Sequence, residues 1–265
     1  MIPFCKASAC GNDFLIVEES AFSGDRHALS AKLCDRTDGI GADGVEWVGE
    51  AESNEWDATA TLINGDGSAA ELSGNGTRCV AAYLVNQNPK RQLLRIKTGA
   101  GVKSCELMSV SANSYQFSVA MGTVWVGAAR ALKLSEELTV EGTPVDMGNP
   151  HFVITGDSLF GDWRQIAQKV QALEGEFPHG VNVEFVIVRN RSHIQAFFYE
   201  RGAGETRSSG TGSCAAAAAC RSAGLIDDSV SVTTPGGTQT IEFVHDGMIL
   251  RGSAELICRG EAWVE

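Results

Sequence analysis

Short runs rich in apolar and β-branched residues recur along the chain, and each of them predicts a strand. The runs lie at residues 14–17, 45–48, 58–63, 93–96, 117–121, 152–154, 183–188, 194–199, 230–234 and 238–244. Helical patterns are fewer and cover residues 27–36, 75–86, 163–173 and 210–223. Many strands with few helices predict a fold of the α+β class.

A weak internal repeat relates the two halves of the chain. The matching pairs are GNDF (11–14) with GNPH (148–151), GADGV (41–45) with GVNVE (180–184), and SGNGT (73–77) with SGTGS (209–213). Their offsets are 137, 139 and 136 residues. Three matches in one order at a nearly constant offset indicate two homologous domains, which we expect to face each other across a cleft. Clefts between domains are favoured ligand sites.

Each Ser-Gly-x-Gly stretch stands at the start of a predicted apolar helix. The simplest role for Ser73 and Ser209 is that of helix N-cap. A helix start also presents free N–H groups and the positive end of the helix dipole, so it attracts an anion. Neither loop contains the lysine of a phosphate-binding P-loop. Two such helix starts at one cleft are therefore suited to a small carboxylate.

Composition limits the possible partners. The chain has 265 residues, of which 43% are hydrophobic and 20% charged, and its net charge is −12. An acidic surface repels phosphate backbones and anionic lipids, so we expect no nucleic-acid partner and no membrane partner. The N-terminal residues lack the pattern of a signal peptide, and no apolar run approaches the roughly 20 residues of a membrane span. These features predict a cytoplasmic protein.

The cysteines do not predict a metal site or a disulfide framework. There are eight of them, and no pair has the C-x-x-C spacing. We expect no metal, and we expect buried thiols at most of these positions. Cys79 and Cys214, which follow the two Ser-Gly-x-Gly stretches, are expected to pack inside their helices.

Seven motifs together resemble the diaminopimelate epimerase family over nearly the whole chain. They are ACGNDF (9–14), DGIGADG (38–44), NGDGS (64–68), SGNGTR (73–78), GNPH (148–151), GVNV (180–183) and ERGAGETRSSGTG (200–212). The resemblance implies two pseudo-symmetric domains, each a mixed β-sheet wrapped around a central α-helix, with the active site in the cleft between them. We expect one domain at residues 1–117 plus 256–265 and the other at 118–255.

The resemblance also implies the chemistry. The family inverts an amino-acid stereocentre without a cofactor: one group removes the Cα proton on one face and another returns a proton on the opposite face. Both groups are cysteines in the family, and they match Ser73 and Ser209 here. A thiol titrates near pKa 8.5 and lower at a helix start, whereas a serine hydroxyl is a far weaker acid. His151 and Glu200 match residues beside the cysteines and are candidate catalytic helpers.

The substrate residues implied by the resemblance are mostly polar. They are Asn12, Asn64, Gly74, Asn75, Asn149, Asn182, Glu200, Arg201, Gly210 and Thr211. Because arginine can hold a carboxylate with two parallel hydrogen bonds, we expect Arg201 to be buried against the distal end of diaminopimelate. A racemase of apolar amino acids has no use for this polar set. The expected partner is thus a small amino acid, with a homodimer as a further expectation.

The serine pair leaves three explanations open. The chain is a natural variant that racemises slowly, a protein in which both cysteines were replaced, or a superfamily member with another proton-transfer reaction. The functions to distinguish are an epimerase acting on diaminopimelate, a racemase or isomerase acting on another substrate, and a catalytically dead amino-acid-binding protein.

Overall fold

The computed structural model of the chain describes residues 1–51, 53–70, 72–157 and 161–264. It divides into two compact units, one formed by Met1–Ala120 with Arg251–Glu265 and the other by Met121–Leu250. These bounds lie a few residues from the predicted ones. We call them unit 1 and unit 2. Among the described helices, none is long and apolar enough to cross a membrane.

Among its described residues, unit 1 contains a mixed sheet and two α-helices. Its strands are β1 (Ile2–Ala9), β2 (Asn12–Glu18), β3 (Gly44–Glu50), β4 (Ala58–Asn64), β5 (Ala69–Ala70), β6 (Leu93–Thr98), β7 (Gly101–Ser111) and β8 (Ser114–Gly122), together with the last strand of the chain, β18 (Gly247–Ala262), whose residues from Arg251 onward lie in unit 1. Helix α1 spans Arg26–Cys34 and α2 spans Gly74–Gln87. The strands pair in the order β8-β7-β6-β4-β3-β2-β1-β18, and β5 pairs with β4.

Unit 2 has a second mixed sheet. Its strands are β9 (Trp125–Val126), β10 (Arg130–Lys133), β11 (Thr139–Asp146), β12 (Pro150–Gly156), β13 (Asn182–Asn190), β14 (His193–Glu200), β15 (Gly204–Thr206), β16 (Ser229–Thr234) and β17 (Gly237–Val244). Helix α3 spans Trp163–Gln171 and α4 spans Gly210–Ser222. The main order is β9-β11-β12-β13-β14-β16-β17, with β10 on β11 and β15 on β14.

The two units repeat the same connectivity. In unit 1, α1 joins the parallel strands β2 and β3, and α2 joins the parallel strands β4 and β6. In unit 2, α3 joins the parallel strands β12 and β13, and α4 joins the parallel strands β14 and β16. An antiparallel pair links the two crossovers in each unit, β3 with β4 and β13 with β14. This shared order is a structural counterpart of the sequence repeat.

In each unit the second crossover helix is the buried one. In α4 the hydrophobic residues from Cys214 to Cys220 are each at most 3% exposed. Their small alanine side chains let the surrounding strands approach closely on several sides. It contacts β11, β12, β13, β14, β16 and β17. Helix α2 is buried from Asn75 to Ala82 and contacts β1, β2, β3, β4, β6 and β7. Both sheets therefore wrap around a central helix, as the α+β prediction required.

The predicted helices and strands are all present, with shifted ends. The first helix stops at Cys34 and not at residue 36, because the Asp35 side chain instead accepts hydrogen bonds from Thr37 N and Asp38 N. The sequence patterns missed β1, β7, β11 and β18, together with the short strands β5, β9, β10 and β15. Strand β7 has few buried residues and β18 is interrupted by glycines, so neither shows a sustained apolar run.

Candidate active site

Ser73 caps the central helix of unit 1. Its Oγ accepts a hydrogen bond of 3.0 Å from Gly76 N–H, and its carbonyl accepts one from the Thr77 hydroxyl. Gly74 and Asn75 are the first two residues of α2. The Ser73 side chain thus lies beside the N–H groups of the first helical turn, where the helix dipole favours a bound anion.

A polar network, in which Asn75 and Arg78 are buried, supports this helix start. Asn75 Nδ2 donates to Asn12 Oδ1 at 2.7 Å, and Asn12 Nδ2 donates to Asp43 Oδ2 at 2.9 Å. Arg78, which is 1% exposed, donates to Asn75 Oδ1 and to the Gly74 carbonyl. The Arg78 guanidinium therefore holds the first turn of α2 and the Asn75 side chain in place. Asn75 in turn orients Asn12 by the hydrogen bond between their side chains. The predicted residues Asn12, Gly74 and Asn75 belong to one assembly with Ser73.

Asn64 lies apart from this network, at the end of β4. It pairs with Gly44 in the β3–β4 register, and its Nδ2 donates to Ser68 Oγ at 3.0 Å. The side chain is half-buried. Its orientation is set by the turn that follows β4.

Ser209 caps the central helix of unit 2 in the same manner. Its Oγ accepts from Gly212 N–H at 3.2 Å, and its carbonyl accepts from Ser213 N–H. Gly210 and Thr211 begin the helix. Ser209 is 6% exposed, so this hydroxyl is more buried than that of Ser73, whose residue is half-buried.

His151 is fully buried and both of its ring nitrogens are hydrogen-bonded. Nδ1 lies 2.7 Å from Glu184 Oε1, and Nε2 lies 2.9 Å from Asn149 Oδ1. With the Asn149 oxygen as acceptor, Nε2 donates, and one proton is shared between Nδ1 and Glu184. Burial raises the pKa of Glu184, and His151 partly offsets this effect. To accept a proton from another group, His151 has to release one of these two partners.

The remaining predicted residues of unit 2 meet at the ends of β13 and β14. Asn182 is buried; its Nδ2 donates to the Pro150 carbonyl at 3.1 Å, and its Oδ1 accepts from Arg201 N–H at 2.9 Å. Glu200, which precedes Arg201, ends β14 and is half-buried.

The Arg201 side chain is exposed. It hydrogen-bonds to the His179 carbonyl and lies across Gly180, where a Cβ would come within 2.5 Å of Arg201 Cδ. The turn after β14 carries the arginine outward. The guanidinium is available to a ligand at the surface of unit 2.

The sequence patterns missed three buried charged side chains near the two helix starts. Arg78 and Glu184 have the partners described above, and Glu46 lies inside β3 at 2% exposure. A signal for the carboxylates was present: Val-Glu-Trp at 45–47 and Val-Glu-Phe at 183–185 place a glutamate at the same point of two apolar strands. In the parallel ladders, Ile16 pairs with Glu46 and Val153 with Glu184.

The cysteines beside the two helix starts contribute packing. Cys79 and Cys214 are fully buried, and burial raises the pKa of Cys79 well above its usual range. Within the described part of the chain, no three His, Cys, Asp or Glu side chains form a group that could hold a metal ion. The chemistry of each helix start therefore lies in its serine, its N–H groups and the neighbouring carboxylates.

Several solved structures share this fold. A phenazine biosynthesis protein of the PhzF family from Bacillus anthracis matches with a TM-score of 0.74 at 13% identity, covering 99% of both chains. A hydroxyproline epimerase from Agrobacterium vitis matches with a TM-score of 0.71 at 15% identity, covering 98% of this chain and 91% of the other. At these identities the likeness concerns the fold.

The sequence comparisons identify the family. The diaminopimelate epimerase family model matches residues 4–126 and 143–257. A diaminopimelate epimerase of Corynebacterium glutamicum strain R is 36% identical over 99% of both chains. One from Carboxydothermus hydrogenoformans is 35% identical over 97% of this chain and 98% of the relative. The chain belongs to the diaminopimelate epimerase family.

Proposed function

We propose that this protein interconverts LL- and meso-2,6-diaminopimelate, with Ser73 and Ser209 as the two proton-transfer groups. The observation that carries the proposal is the matched pair of helix starts. In each unit a serine caps the central helix and accepts from the N–H of the residue three positions on. Membership of the diaminopimelate epimerase family supplies the substrate.

In the proposed reaction the substrate Cα lies between the two serines. One serine removes the Cα proton, the electron pair of the broken bond is delocalised into the α-carboxylate, and the other serine returns a proton to the opposite face. The N–H groups of the two helix starts hold the α-carboxylate and stabilise its developing charge. A chain without an electron-accepting cofactor depends on such fixed donors.

The serines make the proposed reaction slow compared with a thiol pair. An alkoxide is almost absent unless a neighbouring group takes the hydroxyl proton. Of the helpers proposed from the sequence, Glu200 is half-buried beside Asn182 and Arg201, whereas His151 is engaged by Glu184 and Asn149. We therefore assign His151 the role of orienting Asn149. Glu200 is assigned the role of proton acceptor in unit 2.

The polar residues supply the proposed specificity for a substrate with a second amino-acid end. Asn64, Asn149 and Asn182 offer amide groups, and the exposed Arg201 guanidinium offers two parallel donors to the distal carboxylate. Glu200 complements the distal ammonium. A substrate with an apolar side chain offers no distal carboxylate to Arg201 and no distal ammonium to Glu200, so it forgoes both charged interactions.

The experiment that tests the proposal restores the thiols. Epimerisation of LL-diaminopimelate is compared for the parent, Ser73→Cys, Ser209→Cys and the double variant. We expect the double variant to exceed the parent by orders of magnitude, since a positioned acid–base group contributes about 10²–10⁴-fold. Each single variant gains much less, because inversion needs a competent group on both faces.

A matched control is Ser213→Cys, which adds a thiol inside α4 at a fully buried position one turn beyond the cap. It is expected to leave the rate unchanged. A double variant no faster than the parent contradicts the assignment of the two serines. Calorimetric binding of diaminopimelate without any turnover in the double variant supports the amino-acid-binding alternative, and turnover of a different amino acid supports another racemase.

Further proposals concern the setting of the enzyme. A cytoplasmic location, a homodimer, and the exclusion of nucleic-acid and membrane partners stay predictions from composition and family resemblance. The division into two homologous epimerase-like domains is likewise a proposal, and the repeated crossover order of β2–β6 and β12–β16 supports it.

A further inference from the structure

Glu46 is a buried carboxyl with no assigned purpose. It lies in β3 between Val45 and Trp47 at 2% exposure, and no hydrogen bond or ion pair from any other described residue reaches it. Burial raises the pKa of Glu46 to about 8. An unpartnered buried carboxyl is costly, and an apolar residue at this interior position avoids the cost. Such a residue is expected at a site with a function.

The location of Glu46 relates it to Ser73. Gly76 in the first turn of α2 has no side chain, and a Cβ built there would lie 2.0 Å from Glu46 Oε1 and 3.2 Å from Ser73 Cβ. The carboxyl therefore rests against the Gly76 Cα, beside the helix cap. Ser73 and Glu46 line one narrow pocket, whose other walls are Ala60, Leu62, Leu72, Thr77 and Thr98.

The two side chains have complementary hydrogen-bonding needs. Ser73 Oγ accepts from Gly76 N–H, but its own proton has no acceptor among the residues that the structure describes. The Glu46 carboxyl has acceptor oxygens and, within the same described residues, no donor. They do not hydrogen-bond to each other in the structure, so contact between them requires a rotation of one side chain within the shared pocket.

We propose that Glu46 is the proton acceptor of Ser73, an inference that rests on the proposed epimerase function. As the substrate Cα–H bond breaks, its proton passes to Ser73 Oγ and the Ser73 hydroxyl proton passes to the Glu46 carboxylate. The electron pair stays on the substrate. In the reverse direction Glu46 returns its proton to Ser73 Oγ while the hydroxyl protonates Cα. Glu46 acts through Ser73 and is a positioning and relay residue.

Unit 2 lacks this arrangement. Glu184 holds the matching place in β13, but its Oε1 is hydrogen-bonded to His151, and its Oε2 is buried without a hydrogen-bond partner among the described residues. Gly212 in α4 corresponds to Gly76 in α2, but it faces the ring of Phe198 and not a carboxyl. A Cβ built on Gly212 would lie 2.8 Å from Phe198 Cδ1. Glu46 therefore serves Ser73 alone, and its loss affects one face of the substrate.

The test measures each face separately with Glu46→Gln, which keeps the shape of the side chain. In deuterated water, proton transfer on each face is measured as the incorporation of deuterium at Cα without inversion. The measurement is made once from the LL isomer and once from the meso isomer. We expect Glu46→Gln to lose inversion and exchange on the Ser73 face by about 10²–10⁴-fold and to retain exchange on the other face. The matched control, Glu50→Gln at the exposed end of β3, behaves like the parent.

Two further readouts separate a relay from a structural role. The rate on the Ser73 face of the parent rises as the pH passes through about 8, and this rise is absent in Glu46→Gln. Ser73→Ala combined with Glu46→Gln is no slower than Ser73→Ala alone, because both changes interrupt one relay. Ser73→Cys lessens the loss, since a thiolate forms without help. Calorimetry with diaminopimelate checks that both variants still bind.

The possible failures are distinguishable. If the parent exchanges neither isomer while it binds diaminopimelate, the proposed epimerase function fails, and the role of Glu46 in it fails too. If the parent exchanges both isomers and Glu46→Gln matches it at every pH, the relay alone is wrong. An equal loss on both faces also overturns the relay, because it indicates a general structural effect.

Discussion

Replacing Glu46 by glutamine is expected to change how stability depends on pH. The pKa of Glu46 is raised from an ordinary 4.5 to about 8 in the folded protein, with burial as the cause. A group whose folded pKa lies above its unfolded pKa stabilises the fold below the unfolded value, and this contribution disappears as the pH rises through the folded value. The window for this carboxyl therefore runs from about pH 4.5 to about pH 8.

The size of the effect follows from the shift. One pKa unit corresponds to about 1.4 kcal/mol, so the shift of Glu46 costs the parent at most about 5 kcal/mol at pH 9 relative to pH 4. Glutamine has no charge to bury and keeps the same shape. Glu46→Gln is therefore expected to match the parent near pH 5 and to exceed its unfolding free energy by several kcal/mol at pH 9.

Urea unfolding of the parent, Glu46→Gln and Glu50→Gln at pH 5, 7 and 9 measures this difference. The exposed Glu50 variant is expected to follow the parent at every pH, since its carboxyl is solvated in both states. Parallel curves for the parent and Glu46→Gln refute the reasoning, because they show that the Glu46 carboxyl ionises in the folded protein without cost.

Three other changes test the packing around the helix starts. Gly76→Ala places a methyl group against Glu46 and is expected to lower the free energy of unfolding by about 1–3 kcal/mol. Combining it with Glu46→Ala is expected to recover part of this loss. Glu184→Leu leaves His151 buried without its partner, and equilibrium unfolding is expected to show a loss of about 3–5 kcal/mol; a loss below about 1 kcal/mol contradicts the pairing. Asp25→Ala removes the N-cap of α1, because the Asp25 carboxylate accepts hydrogen bonds from two N–H groups of that helix. Calorimetric melting is expected to show a loss of about 1 kcal/mol in stability, with the hydrogen-exchange activity on substrate unchanged.

The sequence predicted the helix starts well because their signals are local. Ser73 and Ser209 are followed by glycines and an apolar run, and the cap hydrogen bonds lie within three residues of each serine. The contacts of His151 are different. Its partner Glu184 lies 33 residues away and comes close only because β12 and β13 pair in parallel. No short pattern contains that register.

Burial was harder to infer than position. Glu46 is one charged residue in an apolar strand, and only the packing of α2 on β3 shows that Gly76 makes room for its carboxyl. Arg201 follows a strand end, and the turn that begins there, not the motif, decides that its side chain is exposed. Residue type and order were thus predictable, whereas the direction of long charged side chains depended on tertiary packing.

The most direct test of the proposed epimerase is deuterium incorporation by the parent protein. LL-diaminopimelate is incubated with it in deuterated water without added cofactor, and Cα deuterium and the meso isomer are followed by NMR and chiral chromatography. The proposed two-serine mechanism predicts slow appearance of meso product in which the inverted Cα carries deuterium. Bound substrate that keeps its Cα hydrogen and its configuration contradicts it.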